Sequence, residues 1–591
     1  MRPMPMHCLR PFENFPRPIS GYFGPKAYFI WAILILSGAQ VQIEPVAGQT
    51  SVEFDSSNLP IVIIDTHGEI IPDWYKITAD MGIIDNGPGM RNAITDPFND
   101  YHGPIGIEIR GSSSQNFPKK QYAFETRDSL GNDMNVSLLG FPEESDWILY
   151  APYNDKSMMR NVLAYTLSNR MGRYASRTRF CELVLNGDYR GVYVLMEKIK
   201  RDNHRVDISK LEPDETIGDD LTGGYIIKID KTSGETFGGW TSIYPPYPNA
   251  PQRILYQYHV PDPEEIVSEQ EQYIQSCIER FERTVLESVA DPADTSLPNL
   301  MDVDSFVDFV LIQELGKNVD AYRLSTFLHK DRDSVDPLLK AGPIWDFDLA
   351  FGNADYYNGW TVEGWELDFL TEDHGFQQYD GFQVPFWWKR LVLEPFFAHA
   401  LEERWISLRS SVFERTAVLS FIDSTSSLLH ESSERNYERW PILGTYVWPN
   451  PFIGKTYQEE VIYLRSWIGR RLVWMDQDIP EWCGCSSQPS SGSPPEECAR
   501  MPAHPNPFNA STCIEYVLQS PGSVMVTVLN IKGQILSTPV HRIQERGRHG
   551  ITWQALDPDG RPLPSGSYIV RLDFETGGRR TVLVQKVTCL K

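Results

Sequence analysis

The chain has 591 residues, too many for one ordinary core, so two or three domains are expected. Hydrophobic residues make up 41% and charged residues 23%, which excludes a disordered chain, and 16 Trp with 27 Tyr point to large cores or aromatic-lined clefts. A net charge of -25 repels phosphate backbones and excludes nucleic-acid binding as a general role.

Residues 1–48 read as a signal peptide and leader. Arg2, Arg10, Arg17 and Lys26 precede an apolar run from Ala27 to Leu36, and Ser37-Gly38-Ala39 supplies the small residues of a cleavage site. Val46-Ala47-Gly48 offers a second one. The run is too short to span a bilayer comfortably, which favours export over anchoring, and no later stretch is apolar enough to cross a membrane. From about 58 to 260 the pattern is β-rich. Leu59–Asp65, Ile105–Arg110, Gln121–Thr126, Glu182–Leu185, Gly191–Met196 and Gly224–Asp230 read as strands. Asn186-Gly187-Asp188 is a hairpin turn, and one helix interrupts from a capping Asp155 to Gly172. From about 262 to 480 the apolar period is helical, as in Ile274, Ile278, Phe281 and Val285, with further helices after Asp304, over 396–410 and over 457–474. Any active site is expected in the cleft between these two blocks. A linker rich in Ser, Pro and Gly covers 484–504, and evenly spaced short strands over 505–591 read as a small all-β sandwich. Cys181 and Cys277 read as buried thiols, whereas five cysteines gather near the end of the chain with spacings that fit no common zinc motif. Cys513 and Cys589 fall on or beside the first and last of those strands, so a disulfide between them is expected after export.

Four clusters carry candidate chemistry. Asn318-Val-Asp320 follows an apolar helix, and Asp320 there has the chemistry to align a hydroxyl or accept its proton. Trp345-Asp346-Phe-Asp348 reads as the second strand of a hairpin that delivers two carboxylates beside apolar residues. Such carboxylates need partners, and a divalent metal is a natural one for hard oxygen donors. Arg110-Gly-Ser-Ser-Ser, with Lys119 and Lys120 following, offers a turn whose N–H groups and hydroxyls suit phosphate, although the P-loop pattern is absent. Glu197-Lys198, directly after a strand, suits a cation pair or a nucleotide base. Read singly, each cluster also fits a bland role: a solvated helix end, a backbone-bonded strand end, a basic hairpin and a charged turn.

Taken together and in order, these clusters, with Ala151-Pro-Tyr-Asn-Asp155-Lys-Ser-Met-Met-Arg160-Asn161 and Gly191-Val-Tyr-Val-Leu-Met, resemble the CotH kinase family over roughly residues 58–480. The resemblance implies an α+β fold, a two-lobed protein-kinase-like domain with lobes of about 58–260 and 262–480. It implies phosphoryl transfer from ATP to Ser or Thr of exported proteins with Mg²⁺ or Mn²⁺. It makes Asp320, beside Asn318, the catalytic carboxylate, and Asp346 a metal ligand with Asp348 as a second. It places Arg110, Ser113, Lys120, Glu197 and Lys198 around the nucleotide, with Lys120 as the phosphate-binding lysine and Lys119 and Lys198 as its competitors. No Glu lies in the segment 155–172, so either another acid, such as Glu197 or Glu182, holds that lysine or the lysine is arranged differently. A scaffold of this kind that is catalytically silent and builds or binds an envelope structure is the rival reading. Over 505–591, Pro505-Asn-Pro-Phe-Asn509 and Leu563-Pro-Ser-Gly-Ser-Tyr568 are similar to FlgD-like immunoglobulin modules and to sorting domains of type IX secretion. That similarity implies surface display and partnership with a secretion or attachment machinery.

Overall fold

The computed structural model describes residues 52–232, 238–288, 296–482 and most of 503–590. The leader, its cleavage sites, Cys483, Cys485, Cys498 and nearly all of the linker lie outside the described residues.

Strands Ile61–Asp65 (β1), Ile77–Ile84 (β2), Tyr101–Arg110 (β3), Gln121–Thr126 (β4), Asp146–Tyr150 (β5), Thr178–Leu185 (β6) and Asp188–Glu197 (β7) close into a barrel. Its order is β1-β2-β3-β4-β5-β7-β6, and the parallel pairing of Ile61 with Glu182 joins β1 to β6. Side chains alternate across each strand. Trp147 and Leu149 therefore fill the barrel, while Ile148 and Tyr150 on the same strand join a second, larger core outside it. The Asn186-Gly187 turn joins β6 to β7 with both residues at positive φ, 53° and 74°, as a tight hairpin requires. Strands β2 and β5 escaped the sequence reading. The first is diluted by Ala79 and Gly82, and the second is a short run with no alternation to see.

Helix α1 spans Arg160–Arg170, four residues later than the capping Asp155 suggests, with Met159 at the cap position. The Asp155 carboxylate accepts from the Ser157 and Arg160 backbone N–H groups and pairs with the buried Arg160 guanidinium. That arrangement ties 155–159 into a turn, with Met158 at φ 61°.

A second sheet contains Tyr225–Ile229 (β8), Gly239–Thr241 (β9), Leu255–Val260 (β10), Thr326–Lys330 (β11) and Lys340–Ala341 (β12), in the order β9-β10-β8-β11-β12. It draws strands from both sides of residue 262, so the two expected blocks share one sheet. The helices that follow are Ser268–Ser288 (α2), Val303–Gly316 (α3), Glu366–Glu372 (α4), His374–Tyr379 (α5), Phe386–Leu393 (α6), Pro395–Arg409 (α7), Arg415–Arg439 (α8) and Tyr457–Trp482 (α9). Asp302 caps α3 by accepting from the Ser305 N–H. The second core is built mainly from these helices together with α1 and the outer faces of β5 and β7. The architecture is mixed α and β, as an α+β fold requires. No described helix is long and apolar enough to cross a membrane.

Residues 503–589 form two antiparallel sheets around their own core. Ala503–His504 (β13), Ser511–Leu518 (β14) and Gly547–Gln554 (β17) make one sheet. Ile535–Gln544 (β16), Gly522–Asn530 (β15), Gly566–Thr576 (β18) and Arg579–Cys589 (β19) make the other, in the order β16-β15-β18-β19. Phe508, Trp553, Tyr568 and Phe574 are buried between them. The disulfide expected between Cys513 and Cys589 is not formed. Both are free thiols, Cys513 on β14 of the first sheet and Cys589 at the end of β19 in the second.

Candidate active site

A cleft of about 630 Å³ opens between the barrel, the second sheet and the loops that follow α3 and β12. Helix α3 ends at Gly316, and Lys317 turns left-handed at φ 44°, which swings Asn318 and Asp320 out of the helix. Asp320 lines the cleft and pairs with Arg323 at 2.9 Å. Arg323 is itself fixed by the Val319 carbonyl and by the rings of Tyr357 and Phe376. Asn318 is buried and does not line the cleft. Its side-chain oxygen accepts from the Asp320 N–H, and its amide donates to the Asp346 carbonyl oxygen, both at 3.2 Å. It joins the two acidic loops.

Asp346 and Asp348 stand on a loop and not on a strand. The β12 ladder stops at Ala341, and Pro343 has no N–H to extend it. The loop's backbone groups are taken by α1 instead. The Asp346 N–H donates to Tyr165 Oη at 3.0 Å, and the Phe347 N–H donates to Asn161 Oδ1 at 2.6 Å. With Asn318, these contacts hold Asp346 at φ 61°, a conformation seldom adopted by residues other than glycine. Asn154 donates to the Asp348 carboxylate at 2.8 Å.

Asp346 is open to the cleft but hemmed in by protein. Burial, then the negative charges of Asp348, Asp320 and Asp230, push its carboxyl well above the ordinary range. Asp348 is raised by burial too, against the help of Asn154 and of a hydrogen bond with Asp346. Two hard oxygen donors whose negative charges are crowded together suit a small divalent cation, which would relieve their repulsion. No group of three His, Cys, Asp or Glu side chains among the described residues forms a complete cage. That donor set fits Mg²⁺, which commonly takes one or two carboxylates and fills its other positions with water and phosphate. Tyr150 is buried at the cleft wall, and its hydroxyl has no partner among the described residues.

Arg110, Ser113 and Lys198 line the cleft, and Arg110 lies over the Trp345 ring. Lys120 and Glu197 are not among the residues that line it. Lys120 Nζ donates to the Gln115 carbonyl at 2.5 Å. Glu197 is buried against Arg177 at 2.6 Å, with Tyr174 and Arg205 nearby, because strand alternation turns it away from the face that Met196 and Lys198 present to the cleft. Glu182, the other acid expected to hold the lysine, is buried and pairs with Arg435. Lys119 is buried at the Val192 carbonyl and Asn436 Oδ1, at 2.5 and 2.9 Å. The sequence reading missed Lys228 and Asp230. They lie two apart at the end of β8 and line the cleft, and their signal was two charges spaced by two in an otherwise apolar strand. Lys231 follows them into the same wall. Asp230 is raised by burial and lowered in part by Lys228.

The model of the CotH kinase protein family matches residues 107–475. The chain belongs to that family. The match contains the barrel strands from β4 onward, the second sheet, and every acidic and cationic residue of the cleft named above. No curated protein matches the chain. Among solved structures, dimeric latent PorU from Porphyromonas gingivalis is 18% identical over 15% of this chain and 9% of its own length, with a TM-score of 0.14. PorZ, a surface component of the type-IX secretion system of the same organism, is 19% identical over 15% of this chain and 11% of its own, with a TM-score of 0.12. FLGD from Pseudomonas aeruginosa is 17% identical over 14% of this chain and 70% of its own, also at 0.12. The matched stretch is thus about a tenth of PorU and PorZ.

Proposed function

We propose that the chain is an exported protein kinase of the CotH type, which transfers the terminal phosphoryl group of ATP to Ser or Thr of secreted or surface proteins. One observation carries the reading. Asp320, Asp346 and Asp348 meet Arg110, Lys198 and Lys228 in a single cleft of nucleotide-binding size. Phosphoryl transfer needs little covalent help from protein; it needs positioning and compensation of phosphate charge. Asp320, fixed by Arg323, would align the acceptor hydroxyl and take its proton. Asp346 and Asp348 would hold Mg²⁺ or Mn²⁺, which when bound neutralises charge on the phosphates. Lys198 and Lys228, with Arg110, would face the phosphates from the other wall, the place that sequence reading gave to Lys120. Asn318 would keep the acceptor loop and the metal loop in register.

Export rests on the leader sequence, and surface display rests on the Pro-Asn-Pro-Phe-Asn signature that opens the small β module. A type IX-like secretion or attachment machinery is the partner this implies. The test is transfer of radiolabel from ATP by the purified full chain, to itself and to an extract of exported proteins, with and without Mg²⁺ or Mn²⁺. Metal-dependent labelling of Ser or Thr is expected. A folded chain that labels nothing under any of these conditions would overturn the kinase reading in favour of a silent envelope scaffold.

A further inference from the structure

A second cavity, of about 210 Å³, shares none of its lining residues with the cleft. It lies behind the Gly342–Ile344 segment, which runs directly on to Trp345 and Asp346. Phe309 and Ile312 of α3 and Ile344 give it apolar walls. Its rim cations already have partners: Arg173 donates to Asp308 at 2.8 Å, and Lys340 to Asp336 at 2.6 Å. An anionic ligand therefore has little to gain there.

His329 of β11 also lines the cavity. Its Nδ1 lies 3.0 Å from the Gly342 carbonyl oxygen. A carbonyl only accepts, so Nδ1 carries a proton, and because burial lowers the pKa of the ring to about 4 and keeps it neutral, Nε2 is left with a lone pair. Nε2 has no protein partner among the described residues. An apolar cavity of about 150 Å³ is enough to hold benzene, so this one admits a somewhat larger ring.

We propose that this cavity binds a small uncharged aromatic molecule bearing one N–H or O–H donor. Its ring would lie among Phe309, Ile312 and Ile344 and its donor on His329 Nε2. The site is independent of the phosphoryl-transfer reading and stands or falls apart from it. Indole is a suitable probe, and 1-methylindole is its counterpart without a donor. Calorimetric titration of the full chain with each is the experiment. Indole should bind saturably and one-to-one, and 1-methylindole about fivefold more weakly, as expected for the loss of one hydrogen bond. His329→Leu should erase that preference, and Ala341→Leu, which fills the cavity, should abolish binding of both. Absence of saturable indole binding to the wild-type chain would overturn the proposal, and so would equal affinity for the two probes. Either result is read without a variant. Indole binding that survives in a folded Ala341→Leu chain would place the ligand elsewhere and overturn it as well.

Discussion

Each loop carboxylate of the cleft is fixed by a different contact, and the contacts separate their roles. Asp346 has its backbone held by Tyr165 and Asn318 while its side chain stays open to the cleft, so the side chain can change without unmaking the loop. Asp346→Asn is expected to abolish transfer and to erase the rise in melting temperature that Mg²⁺ gives the wild-type chain. Scanning calorimetry with magnesium and with a chelator checks it, and a variant that Mg²⁺ still stabilises would remove Asp346 from the metal site. Asp320 is tied to Arg323 and faces the cleft. Asp320→Asn should lower turnover about a hundred- to ten-thousandfold, the range for loss of a general base, with ATP affinity nearly unchanged. Parallel loss of affinity and rate would place it with the nucleotide instead. These acids were legible in the sequence because charges set among apolar residues are conspicuous. Lys120 and Glu197 misled because the face of a strand that a residue occupies cannot be read from a charged dipeptide. Glu197 and Lys198 differ by one position and point to opposite sides of β7.

At the scale of elements, the contact between β7 and α8 shows what the sequence concealed. Helix α8 is rich in Ser and Thr, so its apolar stripe is faint, and it escaped the sequence reading. Yet it seats Asn436 against the barrel, where Asn436 Oδ1 accepts from both the Val192 N–H and Lys119 Nζ. Gly191 at φ 93° makes room, since a Cβ there would lie 2.5 Å from that same oxygen. Lys119 is sealed into this contact, and burial lowers its pKa to about 7, while the neighbouring charge of Glu182 only partly opposes that. The unfolded chain keeps this lysine charged up to about 10.4. Between the two values the unfolded state binds more protons, so folding stability rises with pH through that window and is lost as pH falls toward 7. The slope from this one group is at most about 1.4 kcal/mol per pH unit. Urea melts of the wild-type chain and Lys119→Met between pH 7 and 10 measure it. The variant should lack this component of the slope; identical pH dependence would show that Lys119 titrates normally in the folded chain.

For the whole molecule, the decisive feature is that the cores are separate. Every cleft residue named above lies between Arg110 and Asp348. Helix α9 closes the last core of that part, with Trp467, Leu472 and Met475 buried. Residues 503–589 have a core of their own, with Phe508, Trp553 and Phe574 buried between two sheets, and none of its members belongs to the larger clusters. The even spacing of short strands made this module legible in the sequence, whereas the shared second sheet was not, because pairing of residues 225–229 with 326–330 leaves no local pattern. A unit with its own core and no residue in the cleft should melt on its own and be dispensable for chemistry. A chain ending at residue 482 is therefore expected to keep the transfer rate of the full chain within about twofold and to lose only the module's calorimetric transition, on the usual additivity of distant changes. Residues 503–591 expressed alone should show that missing transition. A truncated chain that stays folded yet transfers nothing would mean that the module completes the active site, and the separation of catalysis from display would fall with it.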